Sequence, residues 1–446
     1  PQTPFPKETT FWGGLVMEKK YEMPRDAREY MEKIAARIRD EKVRKLFCNC
    51  YASPLETTID RRADGSVFLY TGDIPAMWNR DSTQQLTPYL RLTAESAEMR
   101  KLVRGALTSQ LEMIGRDSYA NSFNDAPVGH HYADTDAPRC GDWTWEQKYE
   151  TDTLCYPLRL AYLYYEQCGD GEVFDELFVR TFEKIIDQFI LEQHHEEKSA
   201  YAHSRKGASW QDTLQNGGRG YRVNYTGMTW QGFRPSDDAT VFGYHIPSNL
   251  MIAAVLRQLL ETNEKLGFLS AETAAKAARL REEILHGVET FGVVDHYRYG
   301  KIYAYETDGF GNHVLMDDAN VPNLLALPYL GCCAADDPMY LRTRRFILSE
   351  DNPYYFKGSC AAGVGSPHTP DNYIWAMGLA MQGFTAATRE EMKRCLDLLA
   401  ISDGGRGCMH EGFDVNDPTR YTREWFTASD AFFAEYVEFC VERGIA

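Results

Sequence analysis

Two stretches far apart in the sequence place carboxyls where a bond could be cut. Arg234-Pro-Ser-Asp-Asp-Ala239 carries adjacent acids, Asp237 and Asp238, among Trp230, Phe233, Val241, Phe242 and Tyr244. Burial in an apolar wall raises a carboxyl pKa, and a neighbouring negative charge adds to the rise. A raised pKa is what a general acid needs near neutral pH. Glu411 stands between His410 and Gly412 in a glycine-rich run. Glycine permits close backbone approach, so a ligand or another chain segment is expected beside it. Glycoside hydrolysis needs two such carboxyls, standing roughly 6.5–9.5 Å apart in inverting enzymes so that a water fits between. Residue types alone leave other pairings open. Glu424 competes with Glu411, although its place at a helix start also reads as capping, and Asp317-Asp318 reads the same way.

A third stretch, Thr71 to Gln85, supplies what would hold a sugar. It packs Trp78, Arg80, Asp81 and Gln84 into the loop that opens a helix. An aromatic face suits the C–H side of a pyranose, and Arg, Asp and Gln suit its hydroxyl rim. Taken singly, Asp81-Ser82 could merely cap the helix, but the design recurs. Later loops bring Trp145, Glu150, Trp230, His245, Asn249 and His368. The candidate substrate-binding set is therefore Trp78, Arg80, Asp81, Gln84, Trp145, Glu150, Trp230, His245, Asn249 and His368.

The elements that must position these residues are mostly helices. Apolar periodicity predicts helices over 28–50, 82–93, 96–114, 153–168, 174–193, 247–266, 271–290, 320–331, 338–349, 371–387, 389–401 and 426–443. Strand-like runs are few: 66–70, and an aromatic hairpin from His296 to Tyr305 turning at Gly300. Long polar loops precede every second helix, and the links on the other side are short. Six inner and six outer helices make an all-α (α/α)6 barrel, or toroid, with its rich loops and a small β-hairpin at one end. No linker divides the chain, so residues 1–446 read as one catalytic domain, with 1–27 an extension packed on it or trailing from it.

Composition narrows the partners. The 446 residues carry 65 acids against 48 bases, a net charge of −17, which argues against nucleic acid and anionic membrane surfaces. No apolar run reaches a membrane span. Eleven scattered cysteines without a framework read as free thiols in a reducing compartment. The expected location is the bacterial cytoplasm. A periplasmic or secreted protein is the alternative if the N-terminus, which lacks an initiator Met and a signal pattern, has been trimmed. No metal, phosphate-loop or dinucleotide motif is visible, so neither a metal nor a cofactor is expected.

Five motifs carry a family resemblance: Thr71 to Thr83 (TGDIPAMWNRDST), Gly232 to Ala239 (GFRPSDDA), Met316 to Pro322 (MDDANVP), Gly365 to Asp371 (GSPHTPD) and Met409 to Phe413 (MHEGF). Together, in this order, they resemble the exo-α-1,6-mannosidases of glycoside hydrolase family 125. The resemblance implies an (α/α)6 barrel and metal-independent, inverting release of non-reducing terminal mannose from α-1,6-linked oligosaccharides. It implies Asp238 as general acid, Glu411 as general base, and Arg80 and Asp81 as mannose-binding positions. Another (α/α)6 carbohydrate enzyme and a non-catalytic glycan-binding barrel are the competing readings. A lyase would want a basic cleft, and the acidic charge disfavours it. Carboxylates at both Asp238 and Glu411 argue against a binding module.

Overall fold

The fold is that of a computed structural model, which describes residues 21–446 and the backbone of 9–12 and 15–18. Residues 1–8, 13–14 and 19–20 of the 1–27 extension fall outside those residues. Its described backbone pairs Thr9–Trp12 with Leu15–Glu18, and Met23 is already buried against the first helix, which starts at Arg25.

Six chain segments ring a common axis. The helix Asn79–Leu86 packs on Thr151–Cys168, which packs on Ile246–Leu266. On the other side Ala376–Phe384 packs on Thr427–Glu442, which closes the ring against Asn79–Leu86. The remaining inner place is taken by 320–331. Each inner segment is backed by an outer helix: Ala97–Arg116, Glu176–Gln193, Ala271–Phe291, Pro338–Ile347, Arg389–Ile401 and Glu41–Ser53.

Four expected helices differ in detail. The stretch 28–50 is two helices, Arg25–Ala35 and Glu41–Ser53, because Asp40 accepts the Val43 N–H and starts a new one. The stretch 82–93 tightens to a 3-10 helix at Thr87–Ala94, where Pro88 cannot continue the α ladder. The stretch 371–387 is helical only from Ala376, since Tyr373–Trp375 forms a strand with Gly412–Asp414. The stretch 320–331 forms no regular helix. Pro322 and Pro328 lack N–H groups, and side chains take over: Asp317 accepts from the amides of Leu324 and Leu325, and Asn323 from that of Ala326. Its leucines are still buried, so the segment fills its place in the ring.

The two rings start their helices differently. Every outer helix named above has a side-chain cap, from Asp40, Ser96, Asp175, Ser270, Asp337 or Thr388. Four inner helices follow Trp78, Glu150, Trp375 and Phe426, which are extended and cap nothing. The fifth follows His245, whose Nδ1 accepts the Ser248 N–H. Three of these residues lie in short strands that stitch loops together. Met77–Trp78 pairs with Ser122–Phe123, Tyr244–His245 with Glu306–Thr307, and Tyr373–Trp375 with Gly412–Asp414. The sequence alternation therefore has a physical basis: outer helices are ended locally, and inner helices open towards the loops.

Candidate active site

The loops at the inner N-termini enclose a pocket of about 330 Å³, walled by Trp78, Arg80, Asp81, Asp237, His368, Glu411 and Arg423 among others. It is built around one buried cation. Arg80 lies in the first turn after Trp78, and its Nη1 donates to Glu150 Oε2 at 2.5 Å and to Asp152 Oδ2 at 3.2 Å. Its Nη2 is 3.6 Å from Asp237 Oδ1, and its Nε is 3.6 Å from Asp81 Oδ1. Burial opposes the charge of Arg80, but these carboxylates outweigh it and raise its pKa.

So many acids around one guanidinium cannot all ionise cheaply. Burial pushes Glu150 well above the usual carboxylate range against the pull of Arg80, and the charges of Asp237 and Asp152 add to the rise. Burial takes Asp152 up to about 6, and it also raises Asp81, whose Oδ2 accepts from the Thr71 hydroxyl. Asp237 goes the other way. Burial would raise it, but Arg80 and Lys148 outweigh that and hold it at about 2. Asp237 is thus ionised at neutral pH and has no proton to give.

The neighbouring acid is placed differently. The Arg234 N–H donates to the Asp238 carbonyl at 2.7 Å, and the Asp237 N–H to the Arg234 carbonyl at 2.9 Å. This turn is bolted down by Arg234 Nε on Glu306 Oε1 at 2.6 Å and by the Val241 and Phe242 amides on Glu306 Oε2. Inside it Asp237 takes φ 68°, a region that non-glycine residues occupy only when their surroundings impose it. The two side chains consequently part: Asp237 lines the pocket, while Asp238 is buried beside His368. His368 Nδ1 lies 2.9 Å from Asp238 Oδ1. The other oxygen, Oδ2, is buried without a partner. Burial works against an imidazolium at His368, but the bond to Asp238 and the charges of Asp238, Glu411 and Asp237 outweigh it and raise His368 to about 9.

Glu411 enters from the last loop. Its Oε1 is 3.8 Å from Arg423 Nη1, and Arg423 donates through Nε to Asp73 Oδ1 at 3.0 Å while lying over the Phe426 ring. The backbone beside Glu411 is pinned on both sides. The Met409 N–H donates to Asp430 Oδ1 at 2.8 Å, and the Gly412 N–H to Thr422 Oγ1 at 3.0 Å. His410 stacks on Tyr421 at 3.6 Å, and burial lowers its pKa, so it stays a neutral support.

Of the residues singled out from sequence, Trp78, Arg80, Asp81, His368 and Glu411 share the pocket wall, with Asp238 behind His368 and Glu150 beneath Arg80. The structure does not bring the rest to the wall. Gln84 donates to the Tyr156 hydroxyl and the Val321 carbonyl. Trp145 lies in the strand Thr144–Glu146, outside the pocket lining. Trp230 is wholly buried and stacks on His195 at 3.5 Å. His245 is the helix cap described above, and burial keeps its imidazole neutral. Asn249 is spent on the Thr229 backbone, accepting its N–H and donating to its carbonyl. These last three hold the long loop before Ile246–Leu266 rather than line the pocket.

The candidate substrate-binding set did not include Asp237, which was weighed only as one of the acid pair, or Arg423, Trp375 and Phe426, all on the wall. A signal existed for two of them. Trp375 and Phe426 precede inner helices as Trp78 does, so an aromatic residue before an inner helix is a wall position here. Placing the start of one helix at 371 hid Trp375 inside it.

Known proteins resemble this chain along nearly its whole length. The chain is 43% identical to a Streptococcus pneumoniae protein, described among metal-independent alpha-mannosidases, whose structure holds alpha-1,6-mannobiose in a non-productive complex. The match covers 94% of this chain and 99% of that one, with a TM-score of 0.91. It is 38% identical to the meiotically up-regulated gene 157 protein of Schizosaccharomyces pombe, over 93% of this chain and 85% of that protein. A bacterial glucoamylase solved with acarbose shares the fold at a TM-score of 0.52 and 12% identity, over 82% of this chain and 49% of that one. Residues 40–438 match the family described as metal-independent alpha-mannosidase, so the chain belongs to glycoside hydrolase family 125.

Proposed function

We propose that this α-mannosidase acts on the non-reducing end of α-1,6-linked mannosides and inverts the anomeric centre, with Asp238 as acid and Glu411 as base. The linkage is supported by the alpha-1,6-mannobiose held by the 43% identical relative. The observation that carries the acid assignment is the buried, unpartnered Oδ2 of Asp238. A buried carboxyl oxygen without a partner asks for one, and a glycosidic oxygen supplies it. Asp237, ionised by Arg80 and Lys148, suits a hydroxyl instead.

The proton is accounted for within the His368–Asp238 pair. With one proton beyond the neutral-imidazole, carboxylate state, the pair can be imidazolium with carboxylate or neutral imidazole with carboxylic acid. In both forms Nδ1–H donates to Oδ1, and in the second Oδ2 carries the proton. A sugar that displaces water makes the separated charges costlier and favours the second form. Oδ2–H then protonates the glycosidic oxygen as the C1–O bond breaks, and a water adds to C1 while giving its proton to Glu411. The products are the shortened alcohol and mannose of β configuration. Loss of the Glu411 proton to solvent and uptake of one by the pair restore the enzyme.

A pocket lined by Trp78, Trp375 and Phe426 as well as by charged groups supports removal of one terminal sugar at a time. The fitting substrates are mannose-containing oligosaccharides derived from N-glycans or mannan. Among the described residues no three His, Cys, Asp or Glu side chains converge as metal ligands, and no helix is long and apolar enough to cross a membrane. Eleven unpaired cysteines support a reducing compartment, the cytoplasm. Proton NMR during the first minutes of α-1,6-mannobiose hydrolysis tests the proposal. β-Mannose is expected first. First-formed α-mannose would remove the role given to the water, and preferential cleavage of α-1,2- or α-1,3-mannobiose would remove the linkage.

A further inference from the structure

A second cleft, of about 640 Å³, opens between the turn Trp210–Asp212 and the chain that follows Asp238. Its wall is neutral. Trp210, Leu214, Tyr221, Val241 and Phe242 supply apolar surface, and Gln215 adds an amide. Trp210 is 50% exposed and Tyr221 52%, which is unusual for rings that line one hollow.

The position of this cleft is fixed by Gln211, the residue after Trp210. Its carbonyl accepts the Ala239 N–H at 2.7 Å, and its Nε2 donates to the Pro367 carbonyl at 3.1 Å. Ala239 follows Asp238 in the chain, and Pro367 precedes His368. The turn that carries Trp210 is therefore anchored to both segments of the acid pair. A general acid stands on the leaving-group side of the bond it helps to break. In an enzyme that removes the terminal sugar, the rest of the oligosaccharide runs out on that side. The Trp210–Tyr221 cleft is apolar surface tied through Gln211 to both segments of that pair.

We propose that this cleft is a subsite for the leaving-group sugars of longer mannosides, engaged beyond the sugar next to the scissile bond. The inference rests on the reading given under Proposed function. Neutral walls fit an uncharged hexose, with its C–H face on the Trp or Tyr ring and hydroxyls towards Gln215 and the rim. Nothing in the wall would compensate a phosphate or a uronate.

The test compares kcat/KM for α-1,6-mannobiose and α-1,6-mannotetraose in wild type, Trp210→Ala, Trp210→Phe and Tyr221→Ala. The expected loss with tetraose is about tenfold in KM for Trp210→Ala, the size of a stacked aromatic contact, and smaller for Trp210→Phe. Mannobiose turnover should stay within about twofold of wild type, which also shows that the variant folds. Equal losses on both substrates, or none on tetraose, would overturn the subsite. If wild type cleaves no mannobiose, the proposed function fails instead. Calorimetric titration of wild type and Trp210→Ala with mannotetraose then still reads the cleft: weaker binding by the variant supports it, and equal binding removes it.

Discussion

Nδ1 of His368 and Oδ1 of Asp238 meet at 2.9 Å behind the pocket wall, joining the Arg234–Ala239 turn to the loop before the strand Tyr373–Trp375. Burial opposes the imidazolium, but that bond and the charges of Asp238, Glu411 and Asp237 raise His368 from 6.5 to about 9. The pair therefore keeps its extra proton below pH 9 and loses it above. The kcat/KM profile is expected to fall on the alkaline side near pH 9. In His368→Asn that limb should no longer stand near pH 9, because the imidazole that sets it is gone. An alkaline limb unchanged in the variant would show that His368 takes no part.

Replacing Asp238 by Asn should lower kcat on unactivated mannosides by about 10²–10⁴-fold, the usual contribution of a general acid. An aryl mannoside whose leaving group needs no proton should recover most of that loss. Asp237→Asn should behave oppositely, with a raised KM and no such recovery. Recovery in the Asp237 variant and not in the Asp238 variant would exchange the two roles.

Glu411→Gln should lose activity without accumulating a bound sugar. Intact-protein mass spectrometry after mixing with an activated mannoside is the readout. A mass increase of one hexose would establish a covalent intermediate and rule out direct attack by water.

Arg80 holds Glu150, Asp152, Asp81 and Asp237 in place. Arg80→Met leaves those acids buried without their cation, a change that costs about 3–5 kcal/mol. A fall in thermal midpoint is expected at pH 7, and a smaller fall at pH 5, where more of the acids bind protons. A midpoint equal to wild type would mean that Lys148 and protonation carry the cluster unaided.

Prolonged dialysis against EDTA should leave the rate unchanged. Loss of activity, restored by a divalent ion, would point first to Asp317 and Asp318. That would be a surprise in structural terms, because Asp317 already spends both oxygens on the amides of Leu324 and Leu325.

The ring was legible in the sequence because helix periodicity and loop richness alternate, and the caps at Ser96, Asp175, Ser270 and Thr388 reinforce it. The segment 320–331 was not, since burial on all sides gives the same apolar run whether or not the backbone is helical. Within the site, composition could find acids and aromatics but not which way they point. Trp230 and His245 look like sugar-facing groups in a string of residues, yet one stacks in the core and the other caps a helix. The separation of Asp237 from Asp238 depends on a positive φ at one residue, and no periodicity encodes that.

The first and last loops meet at the pocket. Asp73 grips Arg423 beside Glu411, the Asp73 N–H donates to the Trp425 carbonyl, and Gly72 bridges to Phe426. Gly72 allows that contact at φ 120°, where a Cβ would stand 2.6 Å from the Trp425 carbonyl oxygen. A nascent chain leaving the ribosome therefore displays the acid loop more than 170 residues before its partner base exists. With Glu411 as the base, catalysis is expected only once the final helix has docked against Asn79–Leu86. Turnover on mannobiose is accordingly a direct reporter of completed ring closure, and it should appear late in refolding, after most helical signal has returned.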